Sequence, residues 1–532
     1  MNGDVLQRVE RELGVSFLSY LLNANDDVVR QRLAGTQPLM TEQEAALTEI
    51  ENLVDRLIAM HLLGDESEPG PSFVAKTLLS YDHAHETTVA NALRLRAGGA
   101  LVDVGERRVT ADWYLAALAR DCYAATLLPP VFPDIPIRGG LDYIAYVVWR
   151  HPLKDLFEKS VLGDAELAPL FTTHDEASGH SGAYYTNLGH GGGIQLWMLA
   201  EGLMSAAHWS LALDGHVDSD AVTNATVENL SRLRRLVAGD AVEVKARLGV
   251  AGIPMGEVNM VSTPWGTLRA LTTEESTRVS ELEGVRSEAV LETPVDMKLY
   301  LGSGIPAQGT EGPGELGRVS QRLHDDLGDR FNRFALTLFL ALERQRPVAV
   351  SRSWTMFDDI VRLGGGMSWS PTPWLAASEA LRAEELEAIE EWAGRVQRHY
   401  HRSITVASQR VVTALAQRYD PADGLIDAVI ALENLFGTSS ETQGEITFRV
   451  STACAYLLEP LDVERRRALR REVATIYRER SKIVHGGPPS ADAWKHRERA
   501  AEIVQQSLRR LFIDKPELLR NADRGIELIL GS

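Results

Sequence analysis

Cysteine is nearly absent, with two residues, Cys122 and Cys454, in a chain of 532. Two thiols cannot build a disulfide framework or a cysteine-based zinc site, and they suit a reducing cytosol. No apolar run approaches the roughly 18 residues that a membrane span needs. The opening MNGDVLQRVERELG is polar and mixed in charge, unlike a signal peptide. A cytoplasmic protein with no membrane partner is expected. Positive charge is also short: 55 Lys and Arg stand against 74 Asp and Glu, a net charge of −19. That balance excludes a general nucleic-acid coat but leaves room for a small basic groove. No internal repeat with a period of roughly 20–50 residues is visible, and there is neither a Walker A loop nor a dinucleotide fingerprint.

What is present is ordinary for a globular chain, 44% apolar and 24% charged, and long enough for roughly two to four domains. The pattern predicts a mainly α protein with a smaller β-containing middle. Residues 1–235 read as mostly helical, with apolar residues recurring at three and four. Residues 174–193, HDEASGHSGAYYTNLGHGGG, form a Gly- and His-rich loop that opens a helix. Residues 236–316 form a small β-rich region, with period-two stretches AVEVKARL, GEVNMVST and PVDMKLYLG, a PWGT turn, and a flexible linker over 302–317. Residues 317–376 are expected to be connecting helices, and 377–532 an antiparallel helical bundle. Trp113, Trp149, Trp197 and Trp209 sit in helical patterns and read as core.

The chemistry concentrates near the C-terminus, in IYRERSKIVHGG over 476–487. A helix over 462–484 carries Arg480 and Ser481, and Gly486, Gly487 and Pro488 stop it just after His485. A histidine there is placed to give or take a proton near neutral pH. Arg480 and His485, five apart, lie roughly 140° apart around an ideal helix, so a two-fold dimer would be needed to gather both kinds of residue in one cleft. Between 462 and 482 eight basic residues face four acids. Arg471, Arg478 and Lys482 are the residues expected to meet RNA phosphates; the alternative is a solvated, ion-paired helix face. On the helix over 422–436, Glu433 falls beside the apolar face set by Ile426 and Ile430, and needs a partner such as Arg480 or Arg449.

Taken in order, DGLIDAVIALENLFG (423–437), EITFRVSTACAYLLEP (445–460) and ERRRALRREVATIYRERSKIVHGG (464–487) resemble the Apea-like branch of HEPN domains. The resemblance covers about 380–530, including KPELLRNADRGIELIL as the closing helix. It implies a helical bundle that dimerises and a metal-independent endoribonuclease without cofactors. The implied catalytic residues are Arg480, Ser481 and His485, supported by Glu433, Tyr477 and Asp427. It further implies RNA as substrate and a setting in bacterial antiphage defence. The N-terminal region would then sense a phage-derived or nucleotide trigger. The competing expectation is a non-catalytic HEPN module for nucleotide binding or dimerisation. In that case Arg480 would be consumed by Glu433 and His485 would be buried or remote. A third expectation places a site in the 174–193 loop, supported if acids and histidines converge on a pocket there. His83, His85 and Glu86, and the run His399 to Arg402, read as polar loop and helix cap.

Overall fold

The computed structural model describes residues 3–59, 73–129, 141–176, 179–215, 217–302, 315–361, 366–370, 379–437 and 446–530. The chain is mainly helical with antiparallel sheet in the middle. Helices α1 (Gly3–Leu21), α2 (Asp26–Leu33), α3 (Thr41–Ala59), α4 (Phe73–Leu78), α5 (Val89–Arg96), α6 (Ala111–Thr126), α7 (Leu141–Arg150), α8 (Lys154–Leu162), α9 (Leu199–Leu213) and α10 (Ser219–Val237) build the N-terminal body. Polar N-caps start several of them: Thr110 accepts from the Trp113 amide and Asp218 from the Ala221 amide. Short strands β1 (Tyr81–Asp82) and β2 (Thr87–Thr88) form a hairpin.

The Gly- and His-rich stretch is not a loop. Its described residues form β3 (Thr173–Asp175), β4 (Gly179–Thr186) and β5 (Gly191–Gln195), and the following helix begins only at Leu199. Glycine runs obscure a strand because they carry no alternating side chains. Gly182 is required in β4, since a Cβ there would lie 1.8 Å from the Leu170 carbonyl oxygen.

The larger sheet contains β6 (Val242–Ala251), β7 (Met260–Thr263), β8 (Gly266–Ala270), β9 (Ala289–Met297), β11 (Ser351–Phe357) and β12 (Gly366–Trp369), in the order β12-β11-β6-β9-β8-β7. The PWGT turn falls as expected, with Thr263 opposite Gly266. Strand β10 (Leu299–Leu301) leaves this sheet and pairs with β4. Connecting helices over 317–376 are a correction: after α12 (Glu315–Ala341) the chain returns to the sheet as β11 and β12. SRSWTMF lacks clean alternation because the strand is buried on both faces. Most of the 302–317 linker lies outside the described residues. Helix α11 (Thr273–Ser280) packs beside α9, and its Thr272 and Glu275 form a capping box.

Strand β6 joins two hydrophobic cores. Val242, Val244 and Ala246 belong to the N-terminal core, and Leu248 and Val250 to the C-terminal one. On the opposite face of β6 sits Arg247, fully buried, with carboxylates from four elements around it: Asp214 at the end of α9, Glu275 of α11, Glu292 of β9 and Asp358 after β11. The C-terminal body consists of α13 (Leu386–His399), α14 (Thr405–Ala416), α15 (Pro421–Phe436), α16 (Ile446–Leu458), α17 (Val463–Val484), α18 (Ala493–Asp514) and α19 (Arg524–Leu530). Helix α15 is its centre, packed against α14, α16, α17, α18 and α19. The last half of α12 enters the same core through Phe334, Leu338 and Phe339. Of the tryptophans, Trp209 is buried, but Trp149 is half exposed and meets Trp197 edge to face at 5.3 Å, so Trp149 is not core. No described helix is long and apolar enough to cross a membrane.

Removing the Arg247 charge takes away a cation shared by four carboxylates, leaving Glu275 and Glu292 to Arg269, Asp214 to Lys245, and Asp358 without a cation among the described residues. Arg247→Met is expected to cost about 3–5 kcal/mol, read as a lower urea midpoint of the first unfolding transition. An unchanged midpoint would contradict this role.

Candidate functional site

Helix α17 is fixed at both ends. Asp462 caps its start, accepting from the Glu464 and Arg465 amides at 3.0 Å each. At its end Gly486 adopts φ +82°, the Gly486 amide donates to the Ile483 carbonyl and the Gly487 amide to the Lys482 carbonyl. This Schellman closure places His485 as the last residue before the turn, exposed to solvent. The Glu479 carboxylate accepts from the Ser490 amide at 2.6 Å and holds the following loop against the helix.

The helix has two faces. Arg467, Arg471, Arg478 and Lys482 are exposed and fall within a roughly 60° sector; His485 follows at the end of that stripe. Their own contacts are light: Arg467 pairs with Glu464, Arg471 donates to the Arg467 carbonyl, and Arg478 donates to Thr475 Oγ1. The opposite face carries the buried Leu469, Val473, Ile476 and Tyr477. Arg480 lies on this inner side, about 180° round from Arg471.

Arg480 meets Glu433 of α15 at 3.8 Å, too long for a hydrogen bond, with side chains 28% and 22% exposed. The Arg480 Nε and the Tyr477 hydroxyl are both buried without a hydrogen-bond partner. Burial pushes the Glu433 carboxyl up, and Arg480 opposes that shift only in part. Burial likewise pushes the Tyr477 phenol well up, with Glu433 adding to it. The three side chains form a polar set between α15 and α17 that has more hydrogen-bonding capacity than it uses.

The structure thus brings Arg480, Glu433 and Tyr477 together and sets Ser481 and His485 in solvent on the same helix. Asp427 does not join them. Its buried carboxylate is taken by Arg410 at 2.7 Å and Arg418 at 2.6 Å, which tie α15 to α14 and its trailing turn. Asp427 and Glu433 are six residues apart on one helix and point to different neighbours. Glu445, part of the resemblance, lies outside the described residues.

Sequence reasoning missed Arg524. It is fully buried and its guanidinium donates to the Asn434 and Leu435 carbonyls at 3.0 and 3.2 Å, to the Leu518 carbonyl and to Ser403 Oγ. It closes the C-terminal end of α15 and so fixes the adjacent Glu433. Burial pushes it down to about 10. The only signal was an arginine within an otherwise helical closing segment.

Other sequence candidates separate as follows. His85 pairs with Asp82 at 2.7 Å in an exposed turn. His401 caps a turn by accepting from the Ser403 amide, and Tyr400 donates to Thr405. His174 and His180 stack across β3 and β4 at 4.5 Å. His190 instead pairs with the buried Asp359 at 3.1 Å. Among the described residues, no group of three or more His, Cys, Asp or Glu side chains is placed to hold a metal ion. The chain matches no protein-family model, no curated protein and no solved structure.

Glu433→Gln removes a carboxylate whose pKa is raised from 4.5 on folding. A raised carboxyl supports the fold below its unfolded pKa, and that support is lost as pH rises through the folded value. The Gln variant is therefore expected to gain on wild type in urea midpoint from about pH 4 to pH 8; a constant difference would contradict it. Tyr477→Phe removes a buried hydroxyl that has no partner, so its stability should equal or exceed that of wild type. A loss above about 1 kcal/mol would show that the hydroxyl is bonded.

Proposed function

We propose that the C-terminal body is a HEPN-type bundle acting as a metal-independent endoribonuclease, dimeric through this bundle, with Arg480, Ser481 and His485 as its site. The observation that carries this reading is Arg480. It is held beside Glu433 without being consumed, its Nε unbonded, while His485 stands exposed one turn further on. A scaffold is expected to have Arg480 consumed by Glu433 and His485 buried or remote from its mate.

RNA brings its own nucleophile, the 2′-hydroxyl, which attacks the adjacent phosphorus and expels the 5′-oxygen, leaving a 2′,3′-cyclic phosphate. His485 moves protons as general base or acid. Arg480 holds phosphate oxygens through its planar fork and stabilises the charge that builds on them. Ser481 supplies a hydroxyl beside them. Tyr477 and Glu433 position Arg480, and Asp427 acts only through the α14–α15 joint. The stripe from Arg467 to Lys482 leads a phosphate backbone to His485. DNA lacks the nucleophile and is left intact. Exposed Val484 beside His485, and Trp494 at the start of α18, suit a two-fold contact next to the site. The N-terminal body is the sensor, with a phage-derived or nucleotide trigger, in an antiphage setting.

Purified protein in EDTA should cut RNA, and Arg480→Ala and His485→Ala should each lower the rate by about 10²-fold or more. Absence of cutting by a confirmed dimer, with infected-cell extract added, would favour the binding module instead. Separately, Arg471→Ala, Arg478→Ala and Lys482→Ala should weaken RNA binding evenly across sequences. Each should reduce the salt slope by up to about 1. Unchanged slopes would remove the stripe from the account.

A further inference from the structure

A pocket far from α17 in sequence takes in the end of the Gly- and His-rich stretch over 174–193. It is a cavity of about 320 Å³ between the β4–β5 turn, the first turns of α12 and strands β11 and β12. Gly189, His190, Ser320, Gln321, His324 and Phe357 are among its walls. Its size is at the lower end for small-molecule sites.

Two features characterise it. Among the described residues its lining carries no carboxylate, as is also true of the apolar cavity between β5 and α9, in a chain with 19 more acids than bases. The cavity beside α17 and α18 includes Glu343, Glu459 and Glu472, and the one beside Arg247 includes Asp214, Glu292 and Asp358. Asp359 has its side chain fully buried behind His190, bonded to Nδ1 at 3.1 Å, and also accepts from the Val361 amide, while Asp325, beside His324 on α12, accepts from Gln321 at 2.8 Å. Asp359 orients the imidazole and does not face a ligand.

The second feature is convergence. Ser320 and His324 are one turn apart on α12 and both crowd Gly189: a Cβ there would lie 2.8 Å from Ser320 Oγ and 3.7 Å from His324 Nε2. Gly189 also has φ +94°, so the turn needs glycine on two counts. Phe357 backs both imidazoles, edge to face with His190 at 6.4 Å and His324 at 5.7 Å. Burial pushes His324 down, against a hydrogen bond to the Leu188 backbone; nearby Arg352 and His190 push it further, and Asp325 opposes them.

We propose that this pocket binds a small phosphate-bearing molecule through His190, His324 and Ser320. Donors from a β-turn and a helix approach from different directions, which suits a tetrahedral oxyanion. The site does not depend on nuclease activity. Helix α12, which contributes Ser320 and His324, continues into the C-terminal core at Phe334 and Phe339, so occupancy bears on both bodies.

The test is titration calorimetry of the full chain with inorganic phosphate and with 5′-AMP, and with acetate at matched ionic strength. Saturable binding of phosphate and AMP is expected, with Ser320→Ala and His190→Ala each weakening it at least about tenfold. Equal binding by folded variants, no saturable binding, or acetate binding as tightly as phosphate would each overturn the proposal. Should the variants fail to fold, NMR titration of wild-type histidines decides. One imidazole pKa should rise in phosphate relative to chloride, and no change would overturn the proposal.

Discussion

A buried guanidinium must find acceptors for its five N–H groups or forfeit the cost of leaving water. Three arginines show how this constraint shapes the protein. Arg247 meets it at its two terminal nitrogens, which donate to Asp358 and Asp214, while its Nε has no hydrogen-bond partner and faces the Glu275 and Glu292 carboxylates at 3.6 and 3.3 Å. Arg524 meets it with backbone carbonyls and a serine hydroxyl, and thereby closes the end of α15. Arg480 does not meet it: among the described residues its one carboxylate partner is at 3.8 Å, beyond hydrogen-bond reach. The first two arginines are committed to structure. The third retains capacity for an outside acceptor, and a phosphate is the acceptor its planar fork suits.

The frame around Arg480 explains why that state persists. Helix α15 is buried along most of its length and locked by Asp427 on one side and by Arg524 at its end. Glu433 therefore cannot drift toward Arg480. Helix α17 is anchored through Leu469, Val473 and Ile476, and its glycine closure fixes where the backbone stops. Both ends of the polar set are rigid, which holds the gap between them open. Rigid supports of this kind are what a preorganised site requires.

Much of the C-terminal body was legible in the sequence, because helices announce themselves by apolar periodicity and by stop signals. The start expected for the helix over 462–484 differs from α17 by one residue and the end coincides, since Asp462 and Gly486 are strong punctuation. Glu433 was legible as an acid beside an apolar face. Asp427 was misplaced because its partners, Arg410 and Arg418, come from another helix and a turn, and no local pattern reveals long-range pairing. The β4–β5 hairpin and strands β11 and β12 were illegible for different reasons. The first is too rich in glycine to alternate; β11 is buried on both faces and also fails to alternate, and β12 is a short, largely exposed strand. The His190–Asp359 pair joins residues 169 apart, which only the folded sheet could bring together.

The most direct test of the central claim is the chemistry of the cut ends. RNA cleaved by the purified protein should carry 2′,3′-cyclic phosphate and 5′-hydroxyl termini, and a substrate with a single 2′-deoxy sugar at the cut site should resist cleavage there. Ends bearing 5′-phosphate, or cutting that ignores the 2′-deoxy substitution, would contradict the account, because the nucleophile would then be water and not the RNA itself.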